Sequence, residues 1–412
     1  MHESRALQKD DGDQEKQRRR CLPIVDWNDL VKGRKEVFLR DLRRALSEIG
    51  FVVLKNHPDF TDRRQKEDFS RVREFFESSD EIKETSNISR SPYYRGWSRA
   101  RVSRTNKSNI PPLLAQEAFQ YGFECEPFAK HNDRSVPVYK RLFRGPNTWP
   151  ENLPKFRSSI ESLTTRYHRL THDLGHLICD SIGVDRSRFD EYFPFHDPDL
   201  AASLNRNFGT AAIPDEWMDY VKKEFEEKLH SKVTSAHIDG PPFIALLIND
   251  RPGLQVIARE GTWINAPVTC RTSEGEYGDV PVVPGAVVVN VGGTLMHLSG
   301  GRLVATLHRV NPFLVPPGES RISMPFFLIP RMEGPLIPFF EKDDKKETGY
   351  SQDRDRGTNA AVNRMATFPQ CTRRWWKDEF AALRKRHERE VSEETQSAYK
   401  LARKRAETTS KL

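Results

Sequence analysis

His237 and Asp239 stand two residues apart, and a second histidine, His308, follows far downstream in Leu307-His308-Arg309-Val310-Asn311-Pro312. Two imidazoles and one carboxylate can occupy one face of a six-coordinate ion and leave the opposite face open, an arrangement suited to non-haem Fe(II). A fold that uses this set must bring the two distant segments together. In an extended strand, residues i and i+2 point to the same side, so His237 and Asp239 can both face a barrel interior while Ile238 packs outward. The flanking runs Val233-Thr234-Ser235-Ala236 and Phe243-Ile244-Ala245-Leu246-Leu247-Ile248 favour β structure. Alone the triplet is weak, because His-x-Asp arises easily by chance and two satisfied polar side chains at a strand end are the bland reading.

The downstream context strengthens it. Gly253-Leu254-Gln255-Val256, Gly261-Thr262-Trp263-Ile264 and Val282-Val283-Pro284-Gly285-Ala286-Val287-Val288-Val289-Asn290-Val291-Gly292 are short β-rich runs between Gly/Pro turn signals, the pattern of an antiparallel sandwich or barrel. Gly300 to Val310 reads as a turn feeding a strand that ends near His308. Arg321 and Ser323 then sit at i and i+2, one planar two-pronged donor and one hydroxyl on the same face, a pair suited to a buried carboxylate.

On these residues the chain resembles the isopenicillin N synthase-like branch of the 2-oxoglutarate/Fe(II)-dependent oxygenases, over roughly residues 22–330. The N-terminal part of the likeness lies in Leu22-Pro23-Ile24-Val25-Asp26, Gly50-Phe51-Val52-Val53-Leu54-Lys55-Asn56-His57, Arg95-Gly96-Trp97 and Gly145-Pro146-Asn147-Thr148-Trp149-Pro150. The resemblance implies a mainly β fold with flanking helices (α+β): a double-stranded β-helix, or jelly-roll, barrel with a helical N-terminal region and a C-terminal helical tail. It implies Fe(II) on His237, Asp239 and His308, and 2-oxoglutarate with its distal carboxylate on Arg321 and Ser323. It further implies an O2-dependent enzyme that hydroxylates, desaturates or cyclises a specialised small molecule, as in secondary metabolism.

Two departures from the family pattern stand out. Many members carry a tyrosine shortly before the first metal ligand that also touches the oxo-acid. Here the segment reads Leu204-Asn205-Arg206-Asn207-Phe208-Gly209, so Phe208 offers no hydroxyl, and one hydrogen bond is either missing or supplied elsewhere, with Asn207 as the candidate donor. The interval from Asp239 to His308 is also longer than usual, with the acidic loop Thr272 to Asp279 as the simplest insertion. Some relatives use no oxo-acid, and there an Arg-x-Ser pair can hold the substrate's own carboxylate. An oxidase of that kind, or a binding protein without activity, are the competing readings.

Length and charge narrow the field. A chain of 412 residues suffices for a large core. No apolar stretch approaches the roughly 20 residues that span a bilayer, and Met1-His2-Glu3-Ser4-Arg5 begins no signal peptide. Five scattered cysteines without metal-ligand spacing fit a reduced intracellular protein. The net charge of +7 sits largely in the tail, where residues 371–412 hold 12 Lys and Arg against 7 Asp and Glu. No nucleic-acid-binding module accompanies it.

The expected organisation is a disordered, charged stretch over 1–20, a mainly helical N-terminal region over 21–200, the barrel over 201–335, a polar linker over 336–365 and a helical tail over 366–412. Amphipathic spacing predicts helices over Glu36–Gly50, Lys66–Phe76 and Ser158–Ile182, and a tail helix from about Arg373 to Ala406. In the third helix His172 and His176 mimic a zinc-protease motif. The stripe Leu163, Tyr167, Leu170, Leu174, Leu177 and Ile178 puts them on the opposite side, so a solvated face is expected. His297 lacks the context of His308 and reads as structural or substrate-facing. Arg90, Arg95, Arg99, Arg101, Arg104 and Lys107 read as a solvated basic loop, or as a guide for an anionic substrate. Ser410-Lys411-Leu412 matches a peroxisomal address, so the peroxisomal import receptor is an expected partner, with the cytoplasm as the alternative location.

Overall fold

The computed structural model of the protein describes residues 21–101, 115–228, 235–272, 277–340 and 356–387. Among the described residues, eleven strands form two sheets: β1 (Ile24–Asp26), β2 (Phe51–Lys55), β3 (Gly96–Arg101), β4 (Ala115–Tyr121), β5 (Asp199–Asn207), β6 (Ile244–Asn249), β7 (Leu254–Ile257), β8 (Trp263–Asn265), β9 (Val287–Val291), β10 (His308–Val310) and β11 (Arg321–Ile329). The major sheet runs β1-β2-β9-β6-β11-β5-β4-β3, and the minor sheet runs β10-β7-β8.

Register decides what each face sees. Residues directly opposite in an antiparallel ladder share a face, and Phe51 pairs with Asn290, Asn290 with Ala245, Ser323 with Asn249 and with Asn205, and Arg321 with Asn207. One face of the major sheet therefore carries Phe51, Asn290, Asn249, Arg321, Ser323, Asn205 and Asn207. Near its closed end this face packs Phe51, Val53, Val288 and Leu247 against Leu254, Val256 and Ile264 of the minor sheet. The opposite face is mostly apolar, with Val52, Leu54, Val287, Val289, Leu246, Ile248, Ile322, Met324, Phe326 and Leu204 in the main core, and it turns polar toward β3 with Arg206, Glu117 and Arg99.

The relevant helices are α1 (Lys35–Glu48), α2 (Asp62–Glu77), α3 (Val138–Phe143), α4 (Pro154–Ile182), α5 (Arg186–Tyr192), α6 (Met218–Glu227), α7 (Arg356–Thr367), α8 (Pro369–Trp375) and α9 (Lys377–His387). Of these, α1, α2, α4 and α5 pack into the main core on that face, while α3 and α7 to α9 form a separate cluster. The expected apolar stripe of α4 is buried from Leu163 to Ile178. Tyr167 stacks on Phe326 with centroids 5.1 Å apart, and its hydroxyl donates to the Met324 carbonyl at 2.8 Å. Burying each such side chain contributes roughly 1.5–3 kcal/mol. Asp68 of α2 and Arg166 of α4 form a buried ion pair at 2.7 Å.

Four local expectations change. Residues 233 and 234 lie outside the described residues, and His237 joins the sheets through a single bridge rather than a strand. Gly240-Pro241-Pro242 follows at once, and proline cannot donate to a ladder. The strand near the second histidine begins at His308 instead of ending there. Residues 356–365, expected as linker, belong to α7 and bury Ala361 and Met365 with Tyr94, Val138 and Leu142. The tail is broken into α7, α8 and α9 by Phe368-Pro369 and by buried Trp376. Among the described residues no helix is long and apolar enough to cross a membrane, and all five cysteines are unpaired.

Candidate active site

His237 and His308 form an antiparallel bridge in which each backbone N–H donates to the other's carbonyl at 2.9 Å. Their rings lie 4.4 Å apart, centroid to centroid. Each ring is oriented by its own chain: His237 Nδ1 is 2.9 Å from the Ser235 carbonyl, and His308 Nδ1 is 3.0 Å from the Thr306 carbonyl. A carbonyl can only accept, so both protons sit on Nδ1 and both Nε2 lone pairs turn inward. Ser235 adopts φ +49° to deliver its carbonyl. Phe51 closes over His308 edge-on at 5.4 Å.

Asp239 completes the group. Its carboxylate oxygens lie 3.6 Å from Nε2 of His237 and 3.6 Å from Nε2 of His308, and one ligand atom from each residue falls within 4.8 Å of the others. Asn290 donates to Asp239 from Nδ2 at 3.0 Å. Burial pushes the Asp239 carboxyl upward, but the rings of His308 and His237 and the Asn290 amide outweigh it and hold the group well below the usual carboxylate range. For His308 burial dominates and lowers the imidazole despite Asp239. Two imidazole nitrogens and a carboxylate converge, the donor set that fits Fe(II).

Arg321 is 1 % exposed, yet its Nε and Nη2 have no hydrogen-bond partner. Burial lowers its pKa to about 10, with Asp250 acting in the opposite direction. The guanidinium therefore stays charged at neutral pH while unsatisfied, a costly state unless an anion completes it. It lies against the strand of His308: a Cβ at Gly253 would come 2.9 Å from Arg321 Cδ and 3.4 Å from the Val310 methyl. The close approach and φ +146° both require glycine there. Ser323 lies two residues on, and Asn207 is directly opposite Arg321 on β5. Phe208 is turned away, its ring stacked under Arg206 at 4.9 Å.

Sequence reasoning missed Asn290 and Arg309. Asn290 was legible as the one polar residue inside Val287-Val288-Val289-Asn290-Val291. Arg309 points away from His308, donates to Gln255 and to the Phe225 carbonyl at 2.9 Å each, and lies 4.0 Å over the Trp263 ring. It pins the minor sheet to α6.

The basic stretch differs from expectation. Arg95 is buried and donates to the Phe143 carbonyl, and Arg99 pairs with Glu117 and Asp80. Arg104 and Lys107 lie outside the described residues. His297 is buried and contacts the Leu336 carbonyl at 3.0 Å, the structural reading. The His172 and His176 face is not solvated: α5 packs over it, with Phe189 5.2 Å and 5.4 Å from the two rings. The stripe was placed correctly, but a helical wheel does not show a second helix covering the opposite side.

Two family models match the chain. The non-haem dioxygenase in morphine synthesis N-terminal region covers residues 22–152, and the 2OG-Fe(II) oxygenase superfamily covers residues 191–330. The chain belongs to the 2-oxoglutarate/Fe(II) oxygenase superfamily. It is similar to the 2-oxoglutarate-dependent dioxygenase frbJ of Dothideomycetidae sp., 28% identical over 74% of this chain and 73% of that one. It also resembles a 2-oxoglutarate-dependent dioxygenase of Gibberella zeae, 24% identical over 87% and 91%. Among solved structures, a 2OG-Fe(II) oxygenase family protein from Caulobacter crescentus shares the fold at TM-score 0.60, with 19% identity over 84% of this chain and 99% of that one. JOX2, solved with 2OG, Fe and JA, shares it at TM-score 0.52, with 23% identity and 80% of each chain covered. As a member of this superfamily the protein is an Fe(II)/2-oxoglutarate-dependent dioxygenase with a double-stranded β-helix fold, using Fe(II), 2-oxoglutarate and O2.

Proposed function

We propose that His237, Asp239 and His308 hold the Fe(II), that Arg321, Ser323 and Asn207 hold the distal carboxylate of 2-oxoglutarate, and that the enzyme oxidises an unactivated C–H bond of a specialised small molecule. The observation that carries this reading is the buried guanidinium of Arg321, whose Nε and Nη2 have no hydrogen-bond partner, beside the strand of His308. Iron with its oxo-acid supplies the activation of O2; the chain supplies placement and a dry site. The carbonyls of Ser235 and Thr306 hold a proton on each Nδ1 and aim each Nε2 inward, and Asn290 fixes one Asp239 oxygen, as surrounding hydrogen bonds commonly do for metal ligands. Arg321 offers a planar fork that matches a carboxylate.

The test is anaerobic. Addition of Fe(II) and then 2-oxoglutarate should produce the visible charge-transfer band of a chelated keto acid, and Arg321→Ala should lose it while still binding iron. A band that persists unchanged in Arg321→Ala would remove Arg321 from the oxo-acid site. No band in wild type with iron bound would make Arg321 and Ser323 holders of the substrate carboxylate. Peroxisomal import through Ser410-Lys411-Leu412, which lies outside the described residues, is a proposal resting on those residues alone. Diffuse fluorescence from a fusion that keeps the triplet would refute it.

A further inference from the structure

We infer that His172, His176 and Asp190 form a second metal site, a Zn2+ clip that fastens α5 to α4 on the helical side of the molecule. The two histidines sit at i and i+4, so they project from one face of α4, the spacing by which one helix offers two ligands to a single zinc. Asp190 arrives from α5. One ligand atom from each residue lies within 4.8 Å of the others.

The nitrogens face inward. His176 Nε2 is 2.7 Å from Asp190 Oδ1, and His172 Nε2 is 3.4 Å from the same oxygen. Tetrahedral zinc with bonds of about 2.0–2.1 Å separates its ligand atoms by about 3.3 Å, so His172 is already at coordinating distance and His176 needs a small opening. His172 Nε2 is buried and has no hydrogen-bond partner. A hydrogen bond to the Phe193 backbone engages that ring elsewhere. An inward lone pair without a donor is a cost that a cation would remove.

Packing holds the geometry in place. Phe189 fits into α4 at Gly175, where a Cβ would come within 2.2 Å of its ring. The rings of Phe189, Phe195 and His176 fix the His172 plane, at 5.2, 5.0 and 4.6 Å. Two imidazoles and one carboxylate are a zinc-type donor set, to which a water can add the fourth ligand. Phe189 and Phe193 also pack on Phe243, 5.2 and 4.8 Å away, so the clip braces the wall from which β6 starts.

Metal-free full-length protein would be titrated with Zn2+ against a colorimetric chelator. Zinc can also enter the His237, Asp239 and His308 cluster, so wild type should take up two equivalents. Asp239→Ala and His176→Gln should each take up one, and the double variant none. Zn2+ should raise the Tm of Asp239→Ala and leave the double variant unmoved, while His176→Gln with iron keeps its turnover. Equal zinc uptake by Asp239→Ala and by the double variant would overturn the second site and leave the iron-site reading untouched.

Discussion

His237 and His308 donate their backbone N–H groups to each other at 2.9 Å across a lone bridge. The two proposed histidine ligands are thus placed by main chain, while the proposed carboxylate ligand Asp239 is placed by a side chain, the Asn290 amide at 3.0 Å. The ligand set has one rigid part and one adjustable part. Asp239→Ala should abolish turnover with the fold kept. Asn290→Ala should weaken Fe(II) binding roughly 10- to 100-fold, with most activity restored at saturating iron; chelator competition measures the affinity. Unchanged iron affinity would remove Asn290 from that role.

Arg321→Ala should raise the KM for 2-oxoglutarate. Loss of one partner of a buried charge pair costs about 2–5 kcal/mol, hence at least roughly 30-fold in affinity. Arg321→Lys keeps the charge but not the fork and should recover only part of it. Steady-state kinetics at saturating substrate separate the two.

Gly253→Ala is expected to act on the oxo-acid without touching iron. The added methyl would push on Arg321 Cδ, 2.9 Å away. KM for 2-oxoglutarate should rise while Fe(II) affinity stays at the wild-type level, measured on the same preparation.

Stability should fall on acidification partly through His57. Burial pushes its imidazole down to about 4 from 6.5, with Asp59 opposing, and its Nδ1 accepts the Asp59 N–H at 3.1 Å. The unfolded chain takes up this proton first, so the contribution is intact above pH 6.5 and is lost as pH falls toward 4. His57→Asn, which keeps an acceptor without a titrating ring, should flatten the Tm profile in that window.

The tail is part of the fold. Trp376 is 2 % exposed, donates from Nε1 to the Pro92 carbonyl at 2.9 Å and lies in the cluster of Tyr94, Leu142 and Met365. Trp376→Ala should destabilise the protein by about 3–5 kcal/mol. Urea unfolding would show it; a change below about 1 kcal/mol would mean the tail is only loosely docked.

From residue types and spacing alone, the chemistry of the ligand trio, the Arg321–Ser323 pair, the helices α1, α2 and α4, and most barrel strands were legible. Those features are local: periodicity, turn residues and donor chemistry lie within a few positions of one another. Tertiary structure decided what depends on distant partners. It made His237 a lone bridge, left Nε and Nη2 of the buried Arg321 guanidinium without a partner, attached Asn290 to Asp239, and laid α5 over the His172 and His176 face. Sequence fixes the face a side chain occupies within its own element, whereas the element packed against that face is set by the burial of the whole chain.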